Sequence, residues 1–253
     1  MRKRSRRFTP VTVERRGAIV VLTLCDQSGS GYIDSTADSQ LCHALEDIAF
    51  DDSVRVVLLR SEGNQFCLGV DGNERQPWRL QSIEALARLC CPVIAVIDGG
   101  AVAEGLELAL ACDLRFVSNR AYFALPQIAE GRFPRNGATQ RLPRLIGRMR
   151  ALEMLWTGRR LSAREALRWG LVNAVWPWDR LASEAEGYVQ RLAQRAPIAL
   201  RYAKEAVLQG LDCTLDQGMR LEEDLYVLLQ TTADWRGGIE AFRRKKKARF
   251  RGQ

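Results

Sequence analysis

The chain has 253 residues, 47% of them hydrophobic and 27% charged, and a formal net charge of +8. That length buries a large core, and the mix is that of an ordinary globular protein rather than a disordered or fibrous one. No apolar run reaches the ~18–20 residues of a membrane-spanning helix, and the basic N-terminus has no apolar stretch behind it to act as a secretory signal, so a cytoplasmic address is expected.

Residues 1–9 open the chain as a basic tail, with five cations and no acid in MRKRSRR. Residues 18–24 (AIVVLTL) are a β-branched run that predicts a strand. CDQSGSGYIDS reads as a loop from its Gly and Ser content. Within 38–50, Leu41, Leu45 and Ile48 recur at helical spacing. Residues 54–60 (VRVVLLR) predict a strand, 82–89 a helix and 92–98 (PVIAVID) a further strand. GGAVAEGLELALACDLRFVS then supplies a glycine turn, a short helix and a strand. This alternation predicts an α/β sheet built by crossover units.

From about residue 139 the pattern turns helical. Residues 162–169 (SAREALRW) begin with a Ser-x-x-Glu capping box and stop at Gly170. Pro197 suits the first turn of a helix through Gln209, and 214–230 and 235–248 predict two more. Residues 243–251 (RRKKKARFR) hold seven cations and no acid, so the chain between the two basic ends carries about −4. The positive charge reads as two tails, and without a recognition motif no dedicated nucleic-acid binding is expected.

Seven cysteines (Cys25, Cys42, Cys67, Cys90, Cys91, Cys112, Cys213) include no Cys-x-x-Cys pair. Most lie in apolar runs, which predicts buried reduced thiols. His43 is the only histidine, so no histidine-rich metal site is expected, and its helical setting predicts a structural role. Neither glycine-rich nucleotide fingerprint is present.

Two segments could hold an anion. One is Phe66-Cys67-Leu68-Gly69-Val70-Asp71, after a strand and a turn. The other is Gly99 to Glu107, from a strand through glycines into a helix start. Backbone N–H groups freed at such turns can converge on one oxygen, with a helix N-terminus adding to the positive potential. An enolate or tetrahedral oxyanion needs such a pair.

The stretches VRVVLLRSEGNQFCLGVD, PVIAVIDGGAVAEGLELALACDLRFVS, FALPQIAEGRFPRNGATQRLPRLIG, TGRRLSAREALRWGLVNAV, AKEAV and GIEAFRRKKKARF, in this order, resemble the crotonase superfamily, the enoyl-CoA hydratase/isomerase family. The resemblance covers about residues 10–250. It implies a spiral of ββα units over 10–195 and a helical part over 196–253 that builds trimers, often paired into hexamers. It also implies an acyl-CoA substrate, with an acyl-carrier-protein thioester as a variant of the same handle. No cofactor beyond the substrate's own coenzyme A, no metal and no membrane partner are implied.

By resemblance, the backbone N–H groups of Val70 and Glu104 form the oxyanion hole, and Cys67, Leu68, Gly69, Val70 and Asp71 line the thioester site. Phe242 with Lys245 or Lys246 matches the region near the CoA adenine and phosphates. The first catalytic carboxylate falls on Glu107. The second is replaced by Gln127, which can orient a water but cannot exchange a proton at neutral pH. Glu104 stands where the family commonly has glycine. Its side chain is expected to point away and complement the helix dipole, the alternative being that it enters the pocket in place of the missing carboxylate. Glu130 is a further candidate substitute. Arg132 and Arg135 are expected on a solvated loop, with recognition of an acyl carboxylate as the alternative. The reading is a hydratase-like lyase or isomerase with Glu107 as general base. A decarboxylase, a thioester hydrolase and a non-catalytic binding protein remain alternatives.

Overall fold

The computed structural model describes residues 10–25, 31–70 and 79–253. The basic tail at 1–9 and Asp71 lie outside the described residues. The chain opens with β1 (Val11–Arg16) and then repeats a unit of long strand, short strand and helix. The units are β2 (Ile19–Leu24), β3 (Tyr32–Ile33) and α1 (Ser35–Ala49); β4 (Val56–Ser61), β5 (Gly69–Val70) and α2 (Gln81–Ala87); β6 (Val93–Ile97), β7 (Gly100–Val102) and α3 (Glu104–Ala111); and β8 (Leu114–Ser118), β9 (Tyr122–Ala124) and α4 (Ala138–Ile146). After these come α5 (Arg148–Thr157), β10 (Leu161–Ser162), α6 (Ala163–Trp169), β11 (Ala174–Trp176), α7 (Trp178–Ala193), α8 (Pro197–Gly210), α9 (Leu215–Gln230) and α10 (Ala233–Arg243).

The long strands form one sheet in the order β1-β2-β4-β6-β8-β11, parallel except for β1. Its inner strands are apolar on both faces because both faces are covered. Val20, Leu22, Val57, Leu59, Ala95 and Ile97 point into the core beneath the helices of the spiral. Ile19, Val21, Val56, Leu58, Ile94 and Val96 point to the other side, against Leu181, Ala185 and Val189 of α7. The short strands pair separately, as β10-β9-β7 and β3-β5.

This topology assigns the two ends of the parallel strands different work. The segments 31–33, 64–70, 99–107 and 121–127 all follow the C-terminal ends of β2, β4, β6 and β8. In open parallel sheets ligands gather at that end. The N-terminal ends are clamped by the C-terminal helices: Arg201 bonds Asp52, and Lys204 bonds both Asp113 and the Cys91 carbonyl.

The last helix is shorter than the sequence suggests. It ends at Arg243, with Lys245 in a left-handed conformation (φ 53°). The chain then returns, and the Asp234 carboxylate accepts the N–H groups of Arg251 and Gly252, both at 2.7 Å. The Phe250 carbonyl accepts from Arg55 Nη2 at 2.7 Å. The second basic run is therefore anchored to the fold and is not a free tail. All seven cysteines are free thiols, but only Cys67, Cys91 and Cys112 are buried; Cys25 and Cys42 are half-buried, and Cys90 and Cys213 are exposed, each lying in a turn between a helix and the next element. His43 is exposed on α1.

Candidate active site

The two segments singled out in the sequence pack backbone against backbone. Cys67 bridges Ala101, and Val102 N–H donates to the Cys67 carbonyl at 2.9 Å. Gly105 makes the contact possible: a Cβ there would lie 2.0 Å from the Cys67 oxygen. The N-cap of α3, Ala103, takes φ 50° and ψ −121°, a conformation costly for a residue with a side chain. It is held by its N–H bond to the Ala124 carbonyl at 3.0 Å, which ties the start of α3 to the end of β9. Glu104 is the first residue of α3, so its own N–H has no acceptor four residues back within the helix.

The Glu104 side chain does not point away. Its Oε2 accepts the Val70 N–H at 3.3 Å, and its Oε1 lies 3.8 Å from Arg132 Nη1. The carboxylate thus sits on one of the two backbone donors that the family resemblance pairs as an oxyanion hole.

Glu107, one turn further along α3, is 1% exposed. Its Oε1 accepts the N–H groups of Asn136 at 2.8 Å and Ala138 at 3.1 Å, and its Oε2 accepts Asn136 Nδ2 at 3.0 Å. Burial raises its pKa above the ordinary carboxylate value. The Asn136 amide and the two N–H groups pull against that, and the Glu104 charge adds to the rise. A carboxylate accepts about four hydrogen bonds, so Oε2 retains room for one more donor.

Gln127 follows β9 and is fully buried, yet neither its Oε1 nor its Nε2 has a hydrogen-bond partner among the described residues. An unpaired buried amide costs roughly 1–3 kcal/mol and marks a place for a water or a ligand. Its backbone carbonyl accepts the N–H groups of Glu130 and Arg132, closing the turn that carries both. Glu130 does not enter the site: it is exposed and paired with Arg132, its Oε2 accepting from both Nη2 and Nε. Arg132 and Arg135 are exposed, as expected of that loop.

Cys67 is buried, and burial pushes its thiol up to about 12, so it lines the segment as an apolar group rather than a nucleophile. Leu68 N–H donates to Gly31 at 2.6 Å, and β5 places Val70 opposite Ile33. A cleft of about 300 Å³ opens at the same strand ends, lined in part by Cys25, Tyr32, Ser61, Gln65 and Phe66. Phe242, Lys245 and Lys246 are not brought to this site within one chain. Their segment is fastened to Arg55, Asp234 and, through Lys247, Gln194, at the N-terminal ends of the parallel strands. Phe242 is 85% exposed there.

Sequence reasoning missed Asn136, the residue that holds Glu107. Its only local signal is an Asn-Gly pair at a helix start, and its partners lie 29 and 56 positions away. Among the described residues no group of three or more His, Cys, Asp or Glu could hold a metal, and no helix is long and apolar enough to cross a membrane.

Comparison with known proteins adds to this geometry. The family model described as enoyl-CoA hydratase/isomerase matches residues 14–253. The sequence is 34% identical to an (E)-benzylidenesuccinyl-CoA hydratase of Thauera aromatica, over 96% of this chain and 99% of that protein. It is 33% identical to a 2,3-dehydroadipyl-CoA hydratase of Escherichia coli (strain K12), over 97% of this chain and 100% of that protein. The crystal structure of an enoyl-CoA hydratase from Bacillus anthracis matches with a TM-score of 0.92 at 33% identity, covering 96% of this chain and 100% of that one.

Proposed function

This chain belongs to the enoyl-CoA hydratase/isomerase family, and from that membership we propose that it adds water reversibly to an α,β-unsaturated acyl thioester of coenzyme A or an acyl-carrier protein. The observation that carries the reading is the pair of buried side chains. Glu107 has a raised pKa and a spare acceptor site, and Gln127 has an amide with no partner among the described residues. In this reading Gln127 holds a water with both amide atoms, and Glu107 orients and deprotonates it.

The thioester oxygen takes the N–H groups of Val70 and Glu104, which stabilise the enolate formed as hydroxide adds to Cβ. Glu107, now protonated, returns that proton to Cα. The net change is one water across one double bond, with a single carboxylate serving as base and then as acid. A raised pKa suits both halves of that cycle.

The C-terminal helices fit an assembly. Val207, Leu208, Leu211, Leu215, Met219, Val227 and Leu228 are exposed apolar residues on α8, α9 and the turn between them, which suits a homotrimer or hexamer. Phe242, Lys245 and Lys246, remote from Val70 in their own chain, would then serve the CoA moiety bound to a neighbouring copy. The test is a hydration assay on a short 2-enoyl-CoA, following loss of the conjugated absorbance. The reading expects turnover by the parent protein, and none by either coenzyme A-free enoate or a saturated thioester control.

A further inference from the structure

Val70 N–H has one hydrogen to give, and in the free protein the Glu104 carboxylate holds it at 3.3 Å. The seat is shaped for that carboxylate. A Cβ at Gly69 would lie 2.8 Å from Glu104 Oε2, and Gly69 takes φ +121°, so only glycine leaves the space open. The other oxygen of Glu104 faces Arg132 Nη1 at 3.8 Å, short of a hydrogen bond but within ion-pair range. Arg132 is 52% exposed and also pairs with Glu130.

We infer that Glu104 is an internal competitor for the oxyanion donor: its carboxylate occupies Val70 N–H until a thioester carbonyl displaces it, and Arg132 receives it. The inference rests on the proposed role of Val70 as a thioester donor. Its chemical basis is competition. A carboxylate oxygen and a thioester oxygen sharing the same N–H each receive a weaker bond than either would alone, and an anion left on that donor would repel the enolate charge that develops there. The carboxylate must leave, and the Arg132 cation already facing its second oxygen at 3.8 Å is there to take it. Glu104 thereby sets a threshold that a ligand with a carbonyl at this position overcomes, while a ligand without one leaves the donor occupied. The side chain acts as a selector for the thioester carbonyl, separate from the acid–base work assigned to Glu107.

The test measures binding by calorimetry of two non-hydratable ligands, acetyl-CoA and its S-ethyl thioether analogue, to the parent, Glu104→Ala and Glu104→Gln proteins. Freed of a charge-assisted competitor, Glu104→Ala should bind acetyl-CoA about tenfold tighter or more. Glu104→Gln keeps a neutral acceptor and should fall between. The thioether should bind all three proteins alike. Equal acetyl-CoA affinity across the three proteins would overturn the competition. So would an equal gain for the thioether, which would mean that only bulk or charge had been relieved.

Arg132→Ala should weaken acetyl-CoA binding in the parent but not in the E104A background. An equal loss in both backgrounds would make Arg132 a direct ligand contact and overturn its role as receiver. Failure of all proteins to bind any coenzyme A compound would instead sink the thioester reading, and the inference with it.

Discussion

Asn136 and Glu107 are locked to each other in one orientation. Asn136 Nδ2 donates to Glu107 Oε2 at 3.0 Å, while its Oδ1 accepts the Leu80 N–H at 3.1 Å. Turning the amide over would break the second bond and set a second acceptor against the carboxylate, so Glu107 always meets a donor at this edge. The backbone N–H groups of Asn136 and Ala138 complete the cradle. The start of α4 is thereby built onto the base.

Asn136→Ala should change both stability and the pH profile. It leaves the buried Leu80 N–H unpaired and should cost about 2 kcal/mol or more by denaturant unfolding. The sign for activity follows from Glu107 acting ionised: turnover is present above its pKa and lost as pH falls through it. Asn136 is among the groups holding that pKa down against burial. Its loss should move the acid limb of kcat/KM to higher pH. An unmoved limb would separate Asn136 from the base.

Gln127→Glu introduces a second carboxylate where the amide has no partner among the described residues. Hydration of crotonyl-CoA should rise above the parent level, since a second acid can share the proton transfers. The variant should also lose about 3 kcal/mol or more of stability, because the position is fully buried and offers no hydrogen-bond partner among the described residues. One of the two carboxylates should titrate higher for the same reason. A stable variant with unchanged hydration would speak against a water on Gln127.

Ala103 holds φ 50° at the N-cap of α3. Replacing it with Gly relieves strain but loses a buried methyl and stiffens nothing, so stability should stay within about 1 kcal/mol of the parent. Replacing it with Val adds a β-branched side chain to the same backbone in a buried place and should cost about 3 kcal/mol or more. Thermal unfolding of the two variants distinguishes a strained junction from an ordinary helix start.

Sedimentation should give a trimer or hexamer, with the exposed apolar face of α8 and α9 covered; a monomer at micromolar concentration would contradict the assembly. In the same protein, Lys245→Gln with Lys246→Gln should weaken coenzyme A ester binding, more at low salt than at high, the salt dependence expected of the proposed pairing of lysine with phosphate. Unchanged affinity at low salt would place these lysines away from the ligand.

The long strands and most helices were legible because they carry strong local patterns. AIVVLTL and PVIAVID are β-branched runs buried on both faces, and Ser162 with Glu165 forms the capping box that their spacing predicts. The short strands β3, β5 and β7 were not, since two or three residues hold no periodicity and pair only through contacts distant in sequence. The end of α10 was missed because it stops in a left-handed turn at Lys245, where a lysine gives no sequence signal for that conformation, with Lys246 N–H donating back to the Ala241 carbonyl. At the site, residue types could suggest Glu107 and Gln127, but the direction of the Glu104 side chain was misjudged. A first-turn Glu reads as a helix-dipole partner, and only the fold brings the Val70 N–H within its reach.

Glu107→Gln separates proton transfer by Glu107 from every other chemistry open to this fold. The substitution keeps the shape and an acceptor for the backbone N–H groups of Asn136 and Ala138 while removing the base. It also sets an NH2 against the Asn136 Nδ2 donor, so denaturant unfolding of the variant is measured alongside its rate. Steady-state hydration of a 2-enoyl-CoA should fall by roughly 10²–10⁴-fold with ester affinity little changed, because the proposed oxyanion donors are backbone groups. An undiminished rate would contradict general-base chemistry at this position and turn attention to decarboxylation or thioester hydrolysis on the same scaffold.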